Sequence, residues 1–84
     1  MIKRNSELNI TLEPNLKGGK GTVRLVNILE KDEMYGTGRL FAISIIPPGG
    51  SIGKHTHTGD FETYYILKGK ALVNDNGTVA ELGP

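Results

Sequence analysis

The chain has no cysteine, which excludes a disulfide-stapled scaffold and a thiolate metal site, so any bound metal must be held through nitrogen and oxygen. It has only two histidines, and no Ser-His-Asp arrangement, carboxylate pair or thiol nucleophile can be assembled around a further base. Charge of one sign is also missing: ten basic residues against nine acidic ones leave +1. The basic residues are scattered from Lys3 to Lys70, with no stripe that could follow a phosphate backbone, so no nucleic-acid partner is expected. The amino-terminal Met1-Ile2-Lys3-Arg4-Asn5 lacks an apolar signal region, and no apolar run is long enough to span a bilayer. These absences point to a soluble, cytoplasmic, non-secreted protein with no membrane partner. No repeat, low-complexity tract or long helical periodicity is present. The 84 residues make one domain, 1–84, with a modest core.

What is present reads as short strands and turns. Residues 7–13 alternate, with Leu8, Ile10 and Leu12 on one side and Asn9 and Thr11 on the other, the period of a half-buried strand that Pro14 ends or marks as an edge. The glycines of Gly18-Gly19-Lys20-Gly21-Thr22 do not make a phosphate-binding loop, because Gly21 separates Lys20 from Thr22 and a strand follows where a helix is needed. Residues 22–29 are rich in β-branched side chains and make a buried strand, and residues 39–46, apolar on both sides except at Ser44, make a central one. Residues 30–33 are too few for an independent helix. Pro47-Pro48-Gly49-Gly50 stops the strand before it. Residues 63–67, Thr-Tyr-Tyr-Ile-Leu, carry the strongest strand signal, with Tyr64 and Ile66 expected on the side of Glu62 and Tyr65 and Leu67 packed on the other. Asn76-Gly77 between two apolar segments predicts a tight hairpin. At least six strands with frequent turns imply an all-β sandwich or barrel.

Both histidines lie in one stretch. His55 and His57 are two apart, so in an extended backbone their imidazoles share a side. Glu62 follows after the turn-forming Thr58-Gly59-Asp60, which lets its carboxylate face them. Two imidazole nitrogens and one carboxylate oxygen suit a divalent transition metal. Lys54 and Asp60 read as solvated loop residues, and Tyr64 either packs or bonds to a ligand group.

Gly49, five residues, His55-Thr56-His57, four residues, Glu62, six residues and Gly69 together resemble the first conserved motif of the cupin superfamily. Five fixed positions at fixed spacing arise by chance at roughly one in ten million starting points. The resemblance implies a jelly-roll β-barrel with His55, His57 and Glu62 as ligands of zinc, iron, manganese or nickel. Cupins carry a second motif, Gly-x5-Pro-x-Gly-x2-His-x3-Asn, whose histidine is the usual fourth ligand. Here Gly77 and Pro84 are similar to its opening, with one extra residue between them, and the sequence ends there. The expectation is therefore an incomplete barrel with its closing strands absent, either a truncated form or a half-site that needs a partner. Unpaired sheet edges next to the site then favour a homodimer.

Two kinds of function are compatible with these residues. One is a metal-dependent enzyme acting on a small polar molecule, of oxygenase, isomerase or lyase type. The other is a non-catalytic module that binds or senses a small ligand or sugar, or an inactive truncated barrel. No catalytic residue beyond the metal ligands can be named.

Overall fold

The run richest in β-branched residues becomes the middle of a sheet. The computed structural model describes residues 1–84 and contains strands at Asn9–Pro14 (β1), Thr22–Leu29 (β2), Phe41–Ile45 (β3), Ala71–Asp75 (β4) and Thr78–Leu82 (β5). β1, β2 and β3 form one antiparallel sheet in that order, and β4 and β5 form a separate hairpin. Only short 3-10 turns interrupt them, at Asn5–Glu7, Leu16–Gly18 and Lys31–Met34. The last of these occupies what the sequence suggests is a loop, and Glu30 starts it by donating its backbone N–H to the Glu33 carboxylate at 2.7 Å.

β2 alternates cleanly. Val23, Leu25 and Asn27 are buried and the residues between them are not, although the sequence here is too continuously apolar to assign sides. The register extends that side across the sheet, placing Thr11 and Ser44 opposite Leu25, and Asn9 and Ala42 opposite Asn27. The buried Asn27 amide is satisfied there, donating to the Asn9 carbonyl at 3.1 Å and to Thr11 Oγ1 at 2.9 Å. Ile10, Val26 and Ile43 make a row on the reverse side, with Leu12, Arg24 and Ile45 beside it.

This corrects the reading of β1. Its apolar residues do not face a core: Ile10 is 52% and Leu12 61% exposed, while polar Asn9 and Thr11 lie on the side of Val23 and Leu25. The alternation is real, but the buried residues of the sheet lie on the other side, that of Val23, Leu25 and Asn27, and there the exposed Asn9 and Thr11 bond to Asn27. β3 is likewise an edge strand and not a central one, with Phe41, Ile43 and Ile45 all exposed.

Five strands form, not six. Residues 63–67 are not a strand, because residues 54–70 make no backbone-to-backbone hydrogen bond to any part of the chain. β-propensity describes a side chain's fit to a pleated, partnered surface, and here the partner is lacking. Tyr65 and Leu67 accordingly stand in solvent at 85% and 61% exposure.

The hairpin forms as expected, with Asp75 opposite Thr78 and positive φ at both turn residues, 50° at Asn76 and 90° at Gly77. The Asn74 side chain closes it by accepting the Gly77 N–H at 2.9 Å. A β-branched residue is strained in this region of φ, so Gly77→Val should cost about 1–3 kcal/mol and lower the thermal midpoint. An unchanged midpoint in a thermal melt would show that the turn does not need the glycine.

Candidate metal centre

The site segment is anchored at its start. The Pro47 carbonyl accepts the Gly50 N–H at 2.8 Å, closing the turn that follows β3, and Gly49 takes φ 76° within it. The next residues lie against the loop between β1 and β2. Ser51 N–H donates to the Lys20 carbonyl at 2.9 Å and Gly53 N–H to the Leu16 carbonyl at 3.0 Å. The Ser51 hydroxyl accepts the Lys20 N–H in return at 3.0 Å. The backbones approach so closely that a Cβ on Gly53 would sit 1.8 Å from the Lys17 carbonyl oxygen, and one on Gly19 would sit 2.0 Å from that of Ser51. Neither position admits a side chain.

Beyond that anchor the backbone is irregular, yet the spacing of two still puts both imidazoles together, with ring centroids 5.0 Å apart at 67°. His55 Nδ1 lies 2.8 Å from the Gly53 carbonyl oxygen. A carbonyl can only accept, so Nδ1 carries a proton, and in the neutral ring Nε2 keeps its lone pair. His57 Nδ1 lies 3.0 Å from Asp60 Oδ1, and the same reasoning leaves its Nε2 open. Both open nitrogens face one oxygen: Glu62 Oε1 is 3.3 Å from His57 Nε2 and 3.9 Å from His55 Nε2. The structure thus brings together all three side chains singled out in the sequence, one ligand atom of each lying within 4.8 Å of the others.

Lone pairs and an anionic oxygen aimed at one point repel each other unless a cation sits among them or a ring takes a proton. Ligand atoms each about 2 Å from one ion lie no more than about 4 Å apart, so the trio fits a single ion after a closure of less than about 1 Å. The donor set, two nitrogens and one oxygen, is also right for a transition metal.

A cleft of about 500 Å³ opens beside the trio. Leu25 and Ser44 from the sheet, Arg39 and Leu40 from the loop before β3, and Ile52 and Tyr64 from the site segment contribute to its walls. Tyr64 faces the Glu62 carboxylate, and partial burial together with that carboxylate pushes the phenol up to about 12. Sequence reasoning missed two residues. Asp60, read as a solvated loop residue, instead bridges His57 and Arg39, the latter through Oδ2 at 3.0 Å. A carboxylate three residues after a histidine across a glycine turn could have suggested the first contact. No local pattern could have supplied Arg39.

Residues 42–84 match a family profile described as Cupin domain. The chain is also similar to an oxalate-binding protein of Thermotoga maritima, at 46% identity over 77 residues, which cover 92% of this chain and 64% of that protein. It therefore spans less than two thirds of the curated relative it matches. Among solved structures, the chain is similar to a crystal structure of a predicted oxalate decarboxylase from Thermotoga maritima, with TM-score 0.90 and 42% identity, over 99% of this chain and 72% of that one.

The raised Tyr64 value gives a stability prediction. The folded protein holds the phenolic proton to about 12, whereas the unfolded chain releases it near 10.0. Stability is therefore untouched by this group below about pH 10 and falls as pH rises from there toward 12. Tyr64→Phe should flatten that part of the decline when denaturation midpoints at about pH 9 and about pH 11 are compared. Equal declines in both proteins would remove Tyr64 as the cause.

Proposed function

This chain belongs to the cupin family, and from that premise we propose that His55, His57 and Glu62 hold one divalent transition metal (zinc, iron, manganese or nickel) beside which the cleft binds a small carboxylate of the oxalate type. The observation that carries the reading is the pair of imidazole Nε2 atoms facing Glu62 Oε1, with both Nδ1 atoms engaged elsewhere. The oxalate-binding relative supports the ligand class. A bound metal would supply Lewis-acid polarisation of a ligand oxygen. The chain's own groups do the rest: the two histidines and Glu62 fix the ion's position, Leu25, Leu40 and Ile52 line apolar wall, and Ser44 and Tyr64 offer hydroxyls to a ligand oxygen. Binding without turnover is the primary reading, which the oxalate-binding relative supports. The structural relative described as a predicted decarboxylase supports turnover as the second reading.

Titration calorimetry of the metal-free protein should show one transition-metal site. His57→Ala should weaken it by at least about tenfold, and affinity should fall on acidification from about pH 8 to about pH 5 as the imidazoles take protons. Oxalate should bind the loaded protein and leave the metal-free protein unoccupied. Equal metal affinity in the variant, or oxalate binding that ignores the metal, would defeat this reading. Carbon dioxide release from oxalate by the loaded protein would favour the enzyme reading over the binding one.

The reading includes a two-fold homodimer. Its support is the uncovered apolar side of the larger sheet, where Ile10, Leu12, Ile43 and Ile45 are exposed and β1 and β3 both present free edges. Native mass spectrometry at about micromolar protein should find twice the chain mass of 9.1 kDa. A monomer there would dispose of the dimer and leave the metal site untouched.

A further inference from the structure

The two histidines are oriented by different means. His55 is fixed by a backbone carbonyl two residues earlier, which no side-chain change can remove. At its Nδ1, His57 has only Asp60, on the turn that follows it. Asp60 in turn divides its oxygens between two partners, Oδ1 facing the His57 Nδ1–H and Oδ2 in an ion pair with Arg39 NH2, each at 3.0 Å. Arg39 enters from the loop before β3, distant in sequence. We propose that Arg39 and Asp60 are a positioning pair that holds His57 in its Nδ1–H tautomer, and so keeps His57 Nε2 open toward Glu62.

The chemistry requires both members. A neutral imidazole can place its proton on either nitrogen, and the hydrogen bond made by one nitrogen decides the state of the other. A carboxylate is negative at both oxygens, so Asp60 pairs with the Arg39 guanidinium through one and, accepting through the other, favours a proton on Nδ1. An amide in its place has a single oxygen. With Arg39 present, which can only donate, that oxygen is drawn to the guanidinium and the amide N–H faces His57. His57 Nδ1 must then accept, its proton moves to Nε2, and the nitrogen that faces Glu62 is blocked. The isosteric substitution therefore reverses the tautomer with little change in packing, which a merely structural role for Asp60 would not produce. If Arg39 is also truncated, the amide is free to turn its oxygen toward His57 and the original tautomer returns.

The functional meaning of the pair rests on the metal reading above, but its test does not require a metal. Long-range proton–nitrogen correlation spectra of the metal-free protein with labelled histidines, recorded at alkaline pH, report each tautomer directly. Both histidines should be Nδ1–H in the starting protein. Asp60→Asn should convert His57 to Nε2–H and leave His55 unchanged as an internal control. Adding Arg39→Ala to that variant should bring His57 back. Zinc affinity should follow, falling by about 10–100-fold in Asp60→Asn and recovering in the double variant. Retention of Nδ1–H by His57 in Asp60→Asn, or no recovery in the double variant, overturns the proposal, and it does so without touching the metal reading if the starting protein binds zinc through His57. Tautomers that switch as described in a protein that binds no zinc uphold the pair and defeat the metal reading instead.

Discussion

The site depends on one close contact between two pieces of backbone. Residues 54–70 have no ladder to hold them, so their position on the sheet is set where residues 51–53 lie against the loop that joins β1 to β2. That contact consists of the Ser51 and Gly53 amides bonded to Lys20 and Leu16 carbonyls, made possible by the missing Cβ atoms of Gly19 and Gly53. The requirement at these two glycines is space and not unusual φ, since neither has a positive value. The same contact orients the metal centre, because Gly53 supplies both the amide that docks the segment and the carbonyl that fixes the His55 ring. A displacement of this backbone would therefore move an imidazole as well as a loop.

The sheet beneath the site has its polar and apolar sides reversed from the arrangement expected of a small globular domain. One side bears Asn9, Thr11, Asn27 and Ser44 alongside Val23 and Leu25, of which only Val23, Leu25 and Asn27 are buried, and the other side bears isoleucines. Only Val23, Leu25 and Met34 form a buried apolar core. One fully buried valine contributes about 1.5–3 kcal/mol, so burial of this extent offsets little of the ordering cost of the chain. The bonded Asn27 amide avoids the penalty of an unsatisfied buried group but adds little net stability.

Features decided by neighbours in sequence were legible from it. Asn76-Gly77 needs only its own φ preference and two short flanks, and the hairpin forms with both values positive. The spacing of His55 and His57 needs only an extended backbone, and it survives the lack of a strand. Features decided by distant partners were not legible. The 63–67 segment has every local property of a strand except another strand to pair with. The alternation in β1 identifies two sides but does not say which is enclosed, since that depends on what the segment carrying Glu62 and Tyr64 places over the sheet. Asp60 looks like a turn residue until Arg39 is brought beside it from the loop before β3.

The charges lining the cleft are consistent with an anionic ligand whose binding is conditional on metal. Lys17 and Arg39 line it with Asp60 and Glu62, so the fixed charges cancel and the metal-free cleft has no net attraction for a dianion. Arg39 is not a free anion anchor, since it is already paired with the Asp60 carboxylate. On the metal reading, a divalent ion at the trio turns a neutral cleft into one of net charge +2, close to where a ligand carboxylate would lie, and opposite charges attract strongly when water is partly excluded. Asp60 keeps His57 available for the ion, and Arg39 balances Asp60 so that its charge does not offset the ion's field. The pair that sets one imidazole's tautomer therefore also preserves the positive charge through which the cleft would recognise a small dicarboxylate.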